Sequence, residues 1–138
     1  MRAAIIPFFN YGYGNEQLLW KFFLMQVRKW EQHVNKIYVI DSGGNLDPQT
    51  GIDILTIIKK PLQSHWQNMN ETIRIVPEEE LLLLDSDMVI YRPHVLSENF
   101  QKLKDNDVIA ILDGSGGVDL QNYSLMNENK NRYERRRV

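Results

Sequence analysis

Four leucines run directly into two carboxylates in Leu81-Leu82-Leu83-Leu84-Asp85-Ser86-Asp87-Met88-Val89-Ile90-Tyr91. A short apolar run that ends in turn residues predicts a strand buried on both faces. Asp85 and Asp87 would then lie at the carboxyl end of the strand, where ligands bind in open α/β sheets. Because residues i and i+2 of an extended chain point the same way, the two carboxylates are expected to converge on one object.

Two interpretations of this acidic pair are open. Like charges so close together repel unless a cation lies between them. Oxygen ligands suit Mn²⁺ or Mg²⁺, and a diphosphate group would complete the coordination shell of either ion. The simpler alternative is that Asp85 and Asp87 only give the strand a polar end or cap a helix.

Composition limits the classes of protein to consider. The 138 residues suffice for one domain with a modest core, and 43% hydrophobic with 25% charged residues is typical of a globular chain. A net charge of -2 argues against charge-driven binding to nucleic acid. The absence of cysteine excludes disulfides and thiolate metal sites. No apolar run predicts a transmembrane segment or a signal peptide, so we expect a cytoplasmic location.

The apolar pattern predicts an alternation of strands and helices. Strands are predicted at residues 3–9, 36–40, 52–58, 81–84 and 107–112, and helices at residues 15–33, 63–76 and from Pro93 onward. The resulting order, β-α-β-β-α-β-α-β, predicts an α/β fold with a mostly parallel sheet flanked by helices on both faces. In such a sheet the strand ends that carry Asp41, Asp85, Asp87 and Asp113 share one edge.

Local signals lead to four smaller expectations. Pro7 should end or loosen the first strand because it cannot donate a ladder hydrogen bond. Asn15 should cap the first helix. Trp66 should face the core from the second helix, and the acidic run at residues 78–80 should be a solvated loop.

Four motifs in this order resemble those of family 2 glycosyltransferases. Ile5-Ile6-Pro7-Phe8-Phe9-Asn10 resembles the opening I-I-P-T-Y-N, and Val39-Ile40-Asp41-Ser42-Gly43-Gly44 resembles V-V-D-D-G-S. Asn70 occupies the position of the asparagine in A-R-N-x-G. Leu83-Leu84-Asp85-Ser86-Asp87 resembles F-L-D-S-D, and Pro93 follows where a proline is common. The order and approximate spacing agree over residues 3–112.

The resemblance implies a Rossmann-like GT-A fold in which residues 1–112 bind a nucleotide-diphospho-sugar. By this resemblance Phe9 lies against the base, Asp41 contacts the nucleoside, and Asp85 lies near the ribose and a divalent metal. Asp87 is the implied metal ligand. Pro7 and Asn70 belong to the same set of donor-binding positions.

The chain also departs from the family pattern. Ser42 replaces the second aspartate of V-D-D-G-S, Met88 stands where many members have a third aspartate, and Asn70 lacks the neighbouring Arg and Gly. The catalytic base of the family lies in an acceptor-binding half further along, and no residue here is assigned that role. Residues 113–138 are predicted to be a polar, basic tail or the start of that half. We therefore expect this chain alone to show no sugar transfer and to self-associate or to need a partner chain.

These observations lead to three candidate functions. The first is a glycosyltransferase, or its donor-binding half, that moves a sugar from a nucleotide-diphospho-sugar to an unknown acceptor. The second is a haloacid-dehalogenase-like phosphatase, because Asp85-x-Asp87-x-Val89 also fits a motif in which the first aspartate is a nucleophile and the second a general acid. The third is a non-catalytic nucleotide-binding fragment or subunit.

Overall fold

The structure is a computed structural model, and it describes residues 1–10, 12 and 14–107. Along these residues strands and helices largely alternate. The elements are β1 (Arg2–Phe9), α1 (Glu16–Trp30) with a following 3-10 turn (Glu31–His33), β2 (Lys36–Ser42), β3 (Leu55–Lys60), α2 (His65–Ile75), β4 (Glu80–Leu83) and α3 (His94–Lys102). Positions 108–112 of the predicted fifth strand lie outside the described residues. So do Asp113, the predicted tail at 113–138 and the predicted domain boundary before it.

The four strands form one parallel sheet in the order β3-β2-β1-β4. Helices α1 and α3 contribute to the core on one face of this sheet, and α2 packs on the other. The connections from β1 to β2 and from β3 to β4 cross the sheet in opposite directions. Connections of the same hand must then lie on opposite faces, which accounts for the placement of α1 and α2. The α/β fold with a parallel sheet flanked by helices is therefore confirmed.

The core is built around β1, which has a neighbouring strand on each side. Ala4, Ile6 and Phe8 face α1, where Trp20 and Phe23 pack against them. The alternate residue Ile5 faces α2 and joins the smaller cluster of Ile40 and Met69. Because side chains alternate along a strand, a continuous apolar run such as that of β1 supplies both faces of the sheet.

Pro7 does not end β1, one of the two outcomes expected from sequence, but the strand loosens on the β4 side, where pairing stops at Ile5. The strand continues through Pro7 to Phe9, and β2 pairs with it as far as Phe9 and Ser42. Proline lacks only the donor on one edge of the strand, so pairing on the other edge continues. The first helix also differs in detail, because Asn15 precedes α1 but makes no side-chain capping hydrogen bond.

The leucine strand is less buried than predicted. Leu81 and Leu82 are half-buried, and Leu83 is 50% exposed. Among the described residues β4 pairs only with β1, so it lies at the edge of the described sheet rather than between two strands. An edge position leaves part of each side chain uncovered.

Two further expectations are wrong. Trp66 does not face the core but is 66% exposed, because the buried side of α2 carries Asn68, Met69 and Thr72 instead. The acidic run at residues 78–80 is not a solvated loop. Glu78 is buried and accepts hydrogen bonds from Tyr38, while Glu80 begins β4 and pairs with Arg2 at 2.9 Å.

No helix among the described residues is both long and apolar enough to cross a membrane.

Candidate functional site

The chain reverses direction across the sheet between β1 and β4. From β1 it moves to β2 and β3 on one side, and it then returns over the opposite face to β4 on the other side. In open α/β sheets, the crevice outside the carboxyl ends of two such strands is where ligands bind. All four strands are parallel, so the ends of β1, β2 and β4 lie on one edge, as the sequence predicted for Phe9, Asp41 and Asp85.

Pro7 lies where β1 and β4 separate. The Leu84 N–H donates to the Ile5 carbonyl at 3.2 Å, on the β4 side of β1. Residues of a parallel strand alternate between their two neighbours, so Pro7 faces the same side two residues later. It has no N–H with which to extend the pairing. The two strands therefore part beyond Leu84, and this opens the edge between Phe9 and the residues that follow β4.

Three rings form an aromatic row at this edge, made of Phe9, His65 and Trp66. Phe9 ends β1, and its ring centroid lies 5.0 Å from that of His65, the first residue of α2. Trp66 lies edge-on to His65 at 5.5 Å. Sequence analysis singled out Phe9 but missed the two α2 residues. The sequence could have indicated both residues, because they begin a helix that follows a predicted strand, and the start of such a helix lies at the carboxyl edge of the sheet.

Asp85 and Asp87 lie in a turn, not on an extended strand. β4 ends at Leu83, and the Met88 N–H donates to the Asp85 carbonyl at 3.2 Å, which places Ser86 and Asp87 at the corner of the turn. The expectation that the two side chains point the same way along a strand is therefore wrong. The pairing that would keep the chain extended ends with Leu84.

The carboxylates of Asp85 and Asp87 are exposed. Within the described residues, neither side chain accepts a hydrogen bond or forms an ion pair. No group of three or more His, Cys, Asp or Glu side chains in that part of the chain could hold a metal ion. A divalent ion bound by these two carboxylates would therefore take further ligands from the oxygens of a bound molecule or from water, as Mg²⁺ commonly does.

Asp41 is at the same edge, but its carboxylate accepts a hydrogen bond from the turn that follows β2. Only 2% of Asp41 is exposed, and its Oδ2 accepts the Leu46 N–H at 3.1 Å. Its Oδ1 lies so close to Gly44 that a β-carbon at that position would collide with it. The carboxylate thus holds the turn that follows β2 and anchors Leu46 in the core.

The predicted Asn70 is exposed on α2, and the buried asparagine is Asn68. The Asn68 amide donates to Ser42 Oγ at 2.8 Å and to the Pro61 carbonyl at 3.1 Å, and its oxygen accepts from Gln63. Residues two apart on a helix lie about 200° apart around its axis, so only one of the two asparagines can face the sheet. Sequence analysis missed Asn68, whose helical spacing with Thr72 was the available signal.

Hydrogen bonds tie together the loops that follow β1, β2 and β3. Asn10 donates its backbone N–H to the Ser42 carbonyl and its side-chain amide to the Gly43 carbonyl, each at 3.1 Å. Gly43 donates to the Lys60 carbonyl at 2.9 Å and has a φ of +70°, which favours glycine. A β-carbon on Gly43 would lie 2.7 Å from that of Leu62. These contacts fix the loops after β1, β2 and β3 to one another beside the candidate site, and we call these three loops the rim.

The end of β3 adds positive charge to this rim. Lys60 pairs with Glu71 of α2 at 2.9 Å, and the Lys60 hydrogen bond lowers the pKa of that carboxyl. Lys59 Nζ lies 3.4 Å from the Asn45 side-chain oxygen. Cations therefore lie on the β3 side of the carboxyl edge and exposed carboxylates on the β4 side.

Comparison of the chain with protein-family models, with curated protein sequences and with solved structures found no match.

Proposed function

We propose that this chain binds a nucleotide-diphospho-sugar at the crevice between β1 and β4 and acts as a glycosyltransferase or as the donor-binding half of one. The observation that carries the proposal is the reversal point of the sheet, where Phe9 ends β1 and the exposed carboxylates of Asp85 and Asp87 follow β4. Aromatic rings and exposed carboxylates at one crevice suit a ligand with a base at one end and a metal-bound diphosphate at the other.

In this proposal the two sides of the crevice have separate roles. Phe9 and His65 form the aromatic side of the crevice, against which a nucleobase can pack. Asp85 and Asp87 hold Mn²⁺ or Mg²⁺ through carboxylate oxygens. When bound, the ion neutralises the charge that develops on the departing nucleoside diphosphate. Pro7 keeps β1 and β4 apart so that both groups can reach one ligand.

Asp41 and Asn70 differ in how they could contribute to donor binding. Asp41 is 2% exposed, so its part is to hold the turn of residues 43–46 beside the ligand. A direct contact between its carboxylate and a nucleoside would require that turn to move. Asn70 is exposed on α2, and we assign it a role at the donor only if substitution weakens binding.

Calorimetry with uridine and guanosine diphosphate tests the metal and nucleotide together. We expect binding with Mn²⁺ or Mg²⁺ and a loss of affinity of about tenfold or more in EDTA, because without the cation the diphosphate and the two carboxylates would repel each other. Asp87→Asn should show the same loss in the presence of metal. The matched control is Asp53→Asn, which changes an exposed aspartate in the loop before β3. Equal affinity with and without metal, or equal effects of the two variants, contradicts the proposal.

A second assay separates transfer from hydrolysis and from phosphatase chemistry. The protein is incubated with a panel of nucleotide sugars, and release of sugar and of nucleoside diphosphate is followed. We expect donor-dependent release that requires metal and Asp87. An acyl-phosphate trapped on Asp85 from a phosphomonoester, with no binding of nucleotide sugar, would support the phosphatase instead.

A further inference from the structure

The outward face of α1 carries a stripe of exposed apolar side chains. Leu18, Phe22 and Met25 are 72%, 37% and 65% exposed, and their spacing of four and three residues aligns them along one side of the helix. The opposite side of the same helix packs Trp20, Phe23 and Val27 into the core. Single exposed apolar residues are normal on protein surfaces, but a stripe of three on one helix marks an interaction surface.

The charged residues on this face are all basic. Lys21, Arg28 and Lys29 are exposed beside the apolar stripe. At 100° per residue, the three cations and the three apolar residues occupy an arc of about 120°. The acidic residues Glu16 and Glu31 lie at the two ends of the helix and are half-buried. We call these six residues, Leu18, Lys21, Phe22, Met25, Arg28 and Lys29, the basic-apolar face.

We propose that the basic-apolar face binds the surface of a bilayer that contains anionic lipid. Helices that lie in the plane of a membrane combine apolar side chains, which enter the boundary of the acyl chains, with Lys and Arg at the level of the phosphates. The 15 residues of α1 make a rod of about 22 Å that can lie flat on such a surface. Each lysine or arginine near anionic headgroups adds to the attraction.

The same charges argue against a second copy of this chain as the occupant. A symmetric dimer would place the face of one α1 against the same face of its partner. Three cations would then oppose three cations, with no carboxylate of the face to neutralise them. Like charges placed directly opposite each other disfavour such an interface. An anionic bilayer offers both the apolar layer and the opposite charge.

Site-specific labels test the contact directly, because the chain contains no cysteine. Met25→Cys and Ile75→Cys each place an environment-sensitive fluorophore at a residue that is 65% exposed, the first on α1 and the second on α2. With vesicles of phosphatidylcholine and phosphatidylglycerol, we expect a blue shift of the label at position 25 and none at position 75. Vesicles of phosphatidylcholine alone should give no shift, and added salt should weaken it.

Co-sedimentation with the same vesicles measures the charge contribution. Lys21→Gln combined with Lys29→Gln should weaken binding by about fivefold for each lysine. The control is Lys102→Gln with Lys104→Gln, which removes two exposed cations near the end of α3 and should leave binding unchanged. Circular dichroism checks that both pairs of variants fold. The proposal is overturned if the protein does not bind the vesicles or if the two pairs behave alike. It is also overturned if the label at position 25 shifts with protein concentration in the absence of vesicles, which would indicate a protein partner.

Discussion

At the scale of single residues, the buried amide of Asn68 links three parts of the chain. It bonds to Ser42 at the end of β2, to the Pro61 carbonyl after β3 and to Gln63 before α2. The whole residue is inaccessible to solvent. Buried polar groups stabilise a fold when they are satisfied, and removal of one partner leaves the others without a bond.

We therefore expect Asn68→Ala to lower the free energy of unfolding by about 1–3 kcal/mol, because the buried Ser42 hydroxyl would be left without its donor and the Pro61 carbonyl would lose a hydrogen bond. Asn70→Ala changes an exposed residue two positions away on α2, and should cost no more than about 0.5 kcal/mol. Urea denaturation of the two variants measures both values. Equal losses would show that the buried amide does not support the fold.

Individual side chains also show where sequence reasoning stops. The alternation of strands and helices is enough to predict that Phe9, Asp41 and Asp85 reach one edge, because parallel strands end together. It does not predict that the Asp41 carboxylate would accept a hydrogen bond from the Leu46 N–H five residues further on. Such a bond depends on how the turn closes, and many closures are compatible with the same five residues.

At the scale of secondary-structure elements, a hydrogen bond between half-buried Tyr38 and buried Glu78 joins β2 to the loop between α2 and β4. The Tyr38 hydroxyl lies 3.0 and 3.2 Å from the two carboxylate oxygens of Glu78, which is 7% exposed. Burial raises the pKa of Tyr38, and the hydrogen bond to Glu78 and its negative charge raise it further. Three consecutive glutamates in sequence indicate solvent exposure, and only the tertiary position of Tyr38 shows why one of them is inside.

Tyr38→Phe should lower the free energy of unfolding by about 1–3 kcal/mol at neutral pH, because the buried Glu78 loses its donor. A tyrosine with a raised pKa stabilises the fold fully below the ordinary tyrosine pKa of 10.0, and this contribution is lost as the pH rises through and above that value. The wild-type protein should therefore lose stability more steeply above pH 10 than the variant does.

The matched control is Tyr91→Phe, which removes the hydroxyl of a tyrosine that is 90% exposed. Its stability should follow that of the wild-type protein at every pH. Denaturant titrations of the three proteins from neutral to alkaline pH provide the comparison. If the two variants cannot be distinguished, the Tyr38–Glu78 bond contributes nothing to stability.

At the scale of the whole molecule, the order β3-β2-β1-β4 gives β1 and β2 a partner on both edges and leaves β3 and β4 at the edges of the described sheet. Alternation along the sequence predicts that the sheet is parallel, but it does not say which strand lies inside. The four leucines predicted that β4 is buried on both faces. Residues 3–8 of β1 are instead all buried, and Leu83 of β4 is half exposed. The number of neighbours, more than the length of the apolar run, decides burial.

This difference predicts the cost of truncating one side chain in each strand. Ile6→Ala in β1 should lower the free energy of unfolding by about 2–5 kcal/mol, because the removed atoms leave a cavity between the sheet and α1. Leu83→Ala should cost about 1 kcal/mol or less, since half of the side chain is already in water. Denaturant unfolding gives both numbers, and a larger loss for Leu83 would mean that β4 is covered on both faces.

The inner position of β1 also determines how long its two edges stay unpaired while the chain is synthesised. The ribosome releases this strand before its neighbours, with two apolar faces and two unpaired edges. Its first neighbour arrives when Lys36 emerges to pair with Ala3. The second must wait for Glu80, which is 78 residues beyond its partner Arg2. Through that interval, the unit of β1, α1 and β2 can assemble from nearby contacts alone, while the edge of β1 that later pairs with β4 is still open to any other chain that comes near.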